Sequence, residues 1–241
     1  MNKALGYAWG TVLVIALWWL LAVLVQSPAL PTPWDAALAL GAQIGTIMPE
    51  FWVSFGRILL AMAIGTVLGA PLGLWLGRSK RADAVLGPVL YILYPLPKIV
   101  LLPILFVLFG IGGEAKVILI AIAVFFQMLV TMRDAAKAIP EPALLSLRSL
   151  GATRWQTFRE VTVPASLPSL FTALRITTGT AVAILFIAES MAGASGLGYF
   201  IMHSWSMLEY PRMFAGIIAM AVMGIIIYEA FDLAERKLTR Q

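Results

Sequence analysis

Runs of about twenty apolar residues recur along this chain and set the narrowest limits on its fold. Six stretches, 5–25, 51–77, 87–109, 116–132, 166–189 and 212–231, have the length and apolarity of membrane spans, since a helix needs about 20 such residues to cross hydrocarbon. Hydrophobic residues make up 61% of the 241 and charged residues 12%, against about 25% charged in soluble domains. The expectation is one all-α, polytopic transmembrane domain over residues 1–241.

The charges between the runs orient them. The net charge of +5 points to basic cytoplasmic loops rather than to nucleic acid. Lys3 precedes the first run, which is too long for the core of a cleaved signal peptide, so it reads as a retained helix. Residues 26–50 hold no Lys or Arg, and Pro28, Pro31 and Pro33 introduce a short helix near 34–44 in an external loop. Arg78, Lys80 and Arg81 end the second run. Arg133 and Lys137 end the fourth, and Arg236, Lys237 and Arg240 follow the last. Basic residues therefore alternate sides with the spans, which places both termini in the cytoplasm.

Two spans carry unusual backbones. Gly65, Gly69, Gly73 and Gly77 recur every four residues in the second, so they line one stripe where a neighbouring helix can come close. Pro95, Pro97 and Pro103 interrupt the third, and lipid tolerates a broken hydrogen-bond ladder only where the segment faces protein or a water-filled cavity. That span is expected beside a pathway.

Catalytic chemistry finds little support. Cysteine is absent and His203 is the one histidine, which leaves no metal cluster of Cys or His ligands and no Ser-His-Asp arrangement. The phosphate-cradling G-x-x-x-x-G-K-[ST] loop is also missing, so ATP-driven work would need another polypeptide. What remains is a set of charges within the spans: Arg57, Lys98, Arg175 and Glu189. Charge at depth costs about 2.5–3.5 kcal/mol or more and marks either a pair or a pathway. Both readings stand, a structural pair such as Glu189 with Arg57, or a route favouring anions because three cations face one carboxylate.

One long polar interval, 134–168, breaks the apolar pattern and carries Lys137, Arg148, Arg154 and Arg159. Pro140 and Glu141 suit the first turn of a helix, and Gly151 suits its end. Thr153 with Gln156 three residues later makes a capping box for a second helix, with Pro164 as the next boundary. Leu144, Leu145, Leu147 and Leu150 are expected on one face of the first helix, and such a face needs a cover, either the chain's own helix ends or the groove of a partner protein.

The segment 145–164, LSLRSLGATRWQTFREVTVP, resembles the cytoplasmic EAA loop of binding-protein-dependent ABC importer permeases. That pattern is Glu-Ala-Ala, three residues, Gly, nine residues, then Ile-x-Leu-Pro. Gly151 fills the glycine, Val161 and Val163 the aliphatic positions and Pro164 the proline, while Leu145, Ser146 and Leu147 stand at Glu-Ala-Ala. The stretches SFGRILLAMAIGTVLGAPLGLWLG, YPLPKIVLLPILFVLFGIG and FIAESMAGASGLGYFI extend the likeness toward the nitrate, taurine and alkanesulfonate branch.

The resemblance implies a permease subunit in a bacterial inner membrane, moving a small anionic solute inward by alternating access. Its implied partners are a second permease copy, two cytoplasmic ATPases that hold ATP and magnesium, and an external solute-binding protein. The loop helix would couple to the ATPase through Glu141, Leu144, Leu145, Leu147, Arg148, Gly151, Ala152 and Pro164. A channel or secondary transporter working without ATPases is the alternative.

Overall fold

The computed structural model of the chain describes residues 3–191 and 193–238, and every regular element among them is helical. Five helices are long and apolar enough to cross a membrane, and a pair bent by 82° accounts for a sixth crossing. The chain forms two compact units. One takes residues 1–54 and 189–222, the other 55–188 and 223–241.

In the first unit α1, Lys3–Val25, is apolar on all sides, and only 6% of its hydrophobic window is covered by the chain itself. Trp18 is its anchor. The indole N–H donates to the Pro31 carbonyl at 3.0 Å, and the ring stacks on Phe214 of α11, Tyr210–Leu238, with centroids 5.3 Å apart. The short helix expected near 34–44 is α2, Pro33–Ala42. Thr32 caps it in a reciprocal box with Asp35, and proline occupies its first position, where a missing N–H costs nothing.

The second unit is built on α3, Ile44–Arg78, and α6, Gly113–Ala138. The glycine stripe lies against the backbone of α6. A Cβ on Gly65 would sit 2.8 Å from the Ala121 carbonyl oxygen, and one on Gly69 2.6 Å from that of Phe125. Gly73 and Gly77 meet the carbonyls of Leu129 and Arg133 in the same way. Each contact advances four residues on both helices, so α3 and α6 run parallel. The close approach expected of a small-residue stripe is therefore present inside this subunit.

Parallel packing has a topological consequence. The segment between the two helices must carry the chain back across the membrane, and α4, Lys80–Leu93, with α5, Leu102–Phe109, is what lies there. The single span expected over 87–109 is thus two helices at a steep angle that begin earlier, at Lys80. Pro95 and Pro97 fall in the break, Pro103 sits harmlessly in the first turn of α5, and a 3₁₀ turn, Lys98–Leu101, joins the halves. Leu102 and Leu105 of α5 pack on Ala115 and Leu119 of α6 and on Ala188. At the other end the α4 carboxylate Asp83 receives hydrogen bonds from Arg133 and Lys137 of α6, which ties the first turn of α4 to the end of α6.

A side chain on the stripe must push backbone, which cannot rotate away. We expect Gly69→Leu and Gly73→Leu to lower the melting temperature of the detergent-purified chain, at a cost of about 1–3 kcal/mol or more from overpacking. Gly56→Ala on the same helix, with no atom within 4 Å of the added carbon, should leave it unchanged. Equal tolerance at Gly56 and Gly73 would show that α3 and α6 are not held this closely.

Candidate functional site

The polar interval folds as two capped helices. The first, α7, is Glu141–Ser149. It ends in a Schellman turn: Gly151 has φ +85°, and the Ala152 N–H returns to the Leu147 carbonyl at 3.2 Å. Glycine reaches that conformation without steric cost, and the bond satisfies a carbonyl the helix would otherwise leave open. Thr153 then caps α8, Arg154–Thr157, in a reciprocal box with Gln156. Two helices thus meet at a turn whose backbone groups are paired on both sides.

Beyond α8 the helix does not stop at Pro164. Residues 158–162 form one wide π turn, in which the Val163 N–H reaches back to the Phe158 carbonyl, and α9, Val163–Met191, continues from there. Proline cannot donate to the carbonyl four residues earlier and its ring crowds that oxygen. A wider turn removes the conflict, so the expected boundary is a bulge inside a helical run of 38 residues from Arg154.

The leucines of α7 do not share one face. Leu144 is buried at 2% exposure, whereas Leu145 is 57% and Leu150 85% exposed. Positions 144 and 145 differ by about 100° around a helix, and the chain covers one and not the other. Leu147 is half-buried and Glu141 is exposed, while the Arg148 side chain lies outside the described residues. Trp155, 68% exposed, stacks on Phe158 at 5.7 Å, and Phe158 in turn packs on the core of Ala70, Leu74, Met132 and Ala136. The uncovered apolar surface is therefore Leu145, Leu150 and Trp155.

The charges within the spans have distinct settings. Arg57 lies over the first turn of α6, where its guanidinium is the first thing a side chain at Gly113 would meet. The Lys98 ammonium donates to the carbonyls of Leu93, Tyr94 and Leu96 at 2.7, 3.0 and 2.8 Å and rests on the Phe126 ring at 4.6 Å. Arg175 bridges Asp232 at 2.8 Å and Glu235 at 2.7 Å, and Arg236 closes on Asp232 at 2.7 Å. Lys98 and Arg175 thus belong to separate clusters.

Glu189 is fully buried and organises the glycine-rich loop. Its carboxylate accepts from the Ser54 hydroxyl at 2.8 Å and the Gly198 N–H at 2.9 Å, while Ser54 accepts from the Leu197 N–H at 2.8 Å. The Gly196 N–H donates to Glu50. Gly196 has φ +104°, and a Cβ there would strike the Glu189 carboxylate. Carboxylates thus occupy the N-terminus of α10, Leu197–Ser206, where free N–H groups and the helix dipole favour negative charge.

Comparison with known proteins decides the family. The family described as binding-protein-dependent transport system inner membrane component matches residues 65–240. The chain belongs to this family. It is 30% identical to the taurine transport system permease protein TauC of Escherichia coli, over 99% of this chain and 90% of that protein. It is 31% identical to the putative aliphatic sulfonates transport permease protein SsuC of Bacillus subtilis, over 99% and 89%. In fold it resembles a chain of the MetNI methionine ABC transporter in an inward-facing conformation, with TM-score 0.70 and 21% identity over 82% of this chain and 98% of that one. The protein is the transport subunit of an ABC importer, and ATP hydrolysis resides in separate subunits.

Several residues of the permease site escape a reading by composition alone. Glu50 and Ser54 stand one helical turn apart on α3, and that i,i+4 spacing of an acid and a hydroxyl near the start of a span was the available signal. Asp83 is the lone acid behind Arg78, Lys80 and Arg81. Ser54→Ala should cut the link between Glu189 and Leu197 and cost about 1–3 kcal/mol, the penalty for leaving buried groups unpaired. Hydrogen exchange should then accelerate at the start of α10, with α6 unaffected; unchanged protection at Leu197 and Gly198 would count against the anchoring role.

Proposed function

We propose that this permease imports a small anion of the sulfonate, taurine or nitrate type by alternating access, paired with a second permease copy, two cytoplasmic ATPases and an external solute-binding protein. Support for the substrate class comes from the names of its relatives, taurine and aliphatic sulfonates, and from Lys98, whose charge is met by neutral carbonyls. Arg57, Lys98, Arg175 and Glu189 are the pathway candidates. ATP and magnesium are assigned to the partner ATPases, because this chain has no phosphate-cradling loop. Both termini are assigned to the cytoplasm, in line with the basic residues near each end and six crossings.

The observation that carries the coupling role is the α7–Gly151–α8 turn with its uncovered Leu145, Leu150 and Trp155. Large apolar side chains left exposed on a polar, internally capped hairpin fit a helix-in-groove contact with another protein. The Schellman turn and the capping box stiffen the hairpin, so a push on α7 is passed to α8 and through the π turn into α9. Glu141, Leu144, Leu147, Arg148, Ala152 and Pro164 complete the assigned coupling set, with Leu144 as its inward anchor.

The test is assembly and stimulated hydrolysis with the permease inserted in the membrane. We expect Leu145→Glu combined with Leu150→Glu to reduce co-purified ATPase by about 30-fold or more, as loss of about 2 kcal/mol at an interface hot spot does. Gly151→Pro should retain insertion but abolish hydrolysis stimulated by the loaded binding protein, because proline is barred from the left-handed region. Full stimulation in both variants would remove the hairpin from the coupling mechanism.

A further inference from the structure

The break in the bent span is polar where the surroundings are apolar. Pro95 and Pro97 lack N–H groups and end α4, so the last carbonyls of that helix lose their intrahelical partners. Lys98 supplies the replacement, and its three N–H groups are matched to three carbonyls. An ammonium has no further donors. It stays at the break as a fixed positive charge whose partners here are neutral.

That distinguishes it from two other cations of this unit. Arg175 faces Asp232 and Glu235, and Arg133 faces Asp83. Around Lys98 the groups are carbonyls and the Phe126 ring, which share the charge without cancelling it. Tyr94, whose backbone carbonyl Lys98 holds, also donates its side-chain hydroxyl to the Gln127 carboxamide oxygen at 2.9 Å. The bond orients the amide, and its two N–H donors have no acceptor among the described residues. Gln127 stands about 21 Å along α6 from Gly113 and about 9 Å before Arg133, well inside the span. Tyr94 is 39% exposed and neighbouring Tyr91 69%, so this face is open on the subunit. A partly exposed ammonium and free amide donors cannot face lipid at that depth without a large cost.

We propose that Gln127 and Tyr94, beside the fixed charge of Lys98, form an oxyanion-binding station on the translocation path, suited to a monovalent sulfonate-type group; the proposal rests on the anion pathway proposed above. The amide N–H groups are the hydrogen-bond donors to the anion. Tyr94 holds the amide in register, and Lys98 sets the sign of the local potential. Because Lys98 is already saturated by carbonyls, it attracts the anion without binding it directly, which keeps the contact weak enough for release.

The absence of cysteine makes the test direct. Gln127→Cys is assembled into the full transporter in membrane vesicles and treated with two methanethiosulfonate reagents, one bearing a sulfonate and one a trimethylammonium group. Rates are normalised to those with free 2-mercaptoethanol. We expect the sulfonate reagent to react faster by about tenfold, the lower end of the range for local electrostatic focusing. On Tyr94→Cys, which keeps the Gln127 amide donors, methanesulfonate at millimolar concentration should slow the reaction, and in either cysteine variant adding Lys98→Met should bring the ratio near one. Equal normalised rates with Lys98 present would overturn the station while leaving a water-filled path in place. Labelling by neither reagent would overturn both the station and the path at this face. Tyr94→Cys, on the opposite partner of the hydrogen bond, is the second position if Gln127→Cys does not insert, and the same outcomes decide it.

Discussion

Hydrocarbon offers no partner for a backbone N–H or carbonyl, so every departure from a regular helix inside the spans has to be resolved within the protein. The chain meets this demand at two places by different means. At Pro95 and Pro97 it breaks the helix completely and brings in a charged side chain, Lys98, to take the open carbonyls. At Pro164 it keeps the helix and widens one turn, so that the Val163 N–H reaches the Phe158 carbonyl. The first solution places a charge within the membrane region. The second leaves a continuous rod from Arg154 to Met191.

The same economy of contacts explains the parallel pair α3 and α6. Helices in lipid gain little from hydrophobicity and associate through close packing. Four glycines at a spacing of four bring α3 onto the carbonyls of Ala121, Phe125, Leu129 and Arg133. Two parallel helices require a third crossing between them, and a straight span would have sufficed for that. The chain uses a bent one, and the bend exposes Tyr91, Tyr94 and Lys98 in place of a uniform apolar surface. The tight pair is thus the fixed frame against which a broken span can be tolerated.

Local features were legible in the sequence, and partnerships at long range were not. The number of spans, the short helix near 34–44, the glycine turn at Gly151 and the box at Thr153 all follow from rules that act over a few residues. The third span was legible as broken but not as a pair beginning at Lys80, because the helix on the near side of Pro95 tolerates Pro88 internally. The leucines of α7 were assigned to one face by spacing alone. Which of them is covered depends on what packs against α7 in the folded chain. Partners such as Ser54 for Glu189 or Asp232 for Arg175 are separated by 135 and 57 residues, a distance over which sequence pattern carries no register.

This contrast bears on how charges within a span are interpreted. Four ionisable residues in apolar runs look alike in sequence, and a count of three cations to one carboxylate treats them as equal contributors to an anion path. In the folded chain they divide by what answers them. Arg175 is answered by two carboxylates and adds little net field, and Glu189 holds the N-terminus of α10 through hydrogen bonds. Lys98 is answered by neutral carbonyls and keeps its sign. A potential that attracts anions therefore depends less on how many cations the spans contain than on which of them are paired with dipoles instead of opposite charges. In this chain that criterion sets Lys98 apart from Arg133 and Arg175, and it makes the break in the bent span, which lipid should have disfavoured, the place where charge can be put to use.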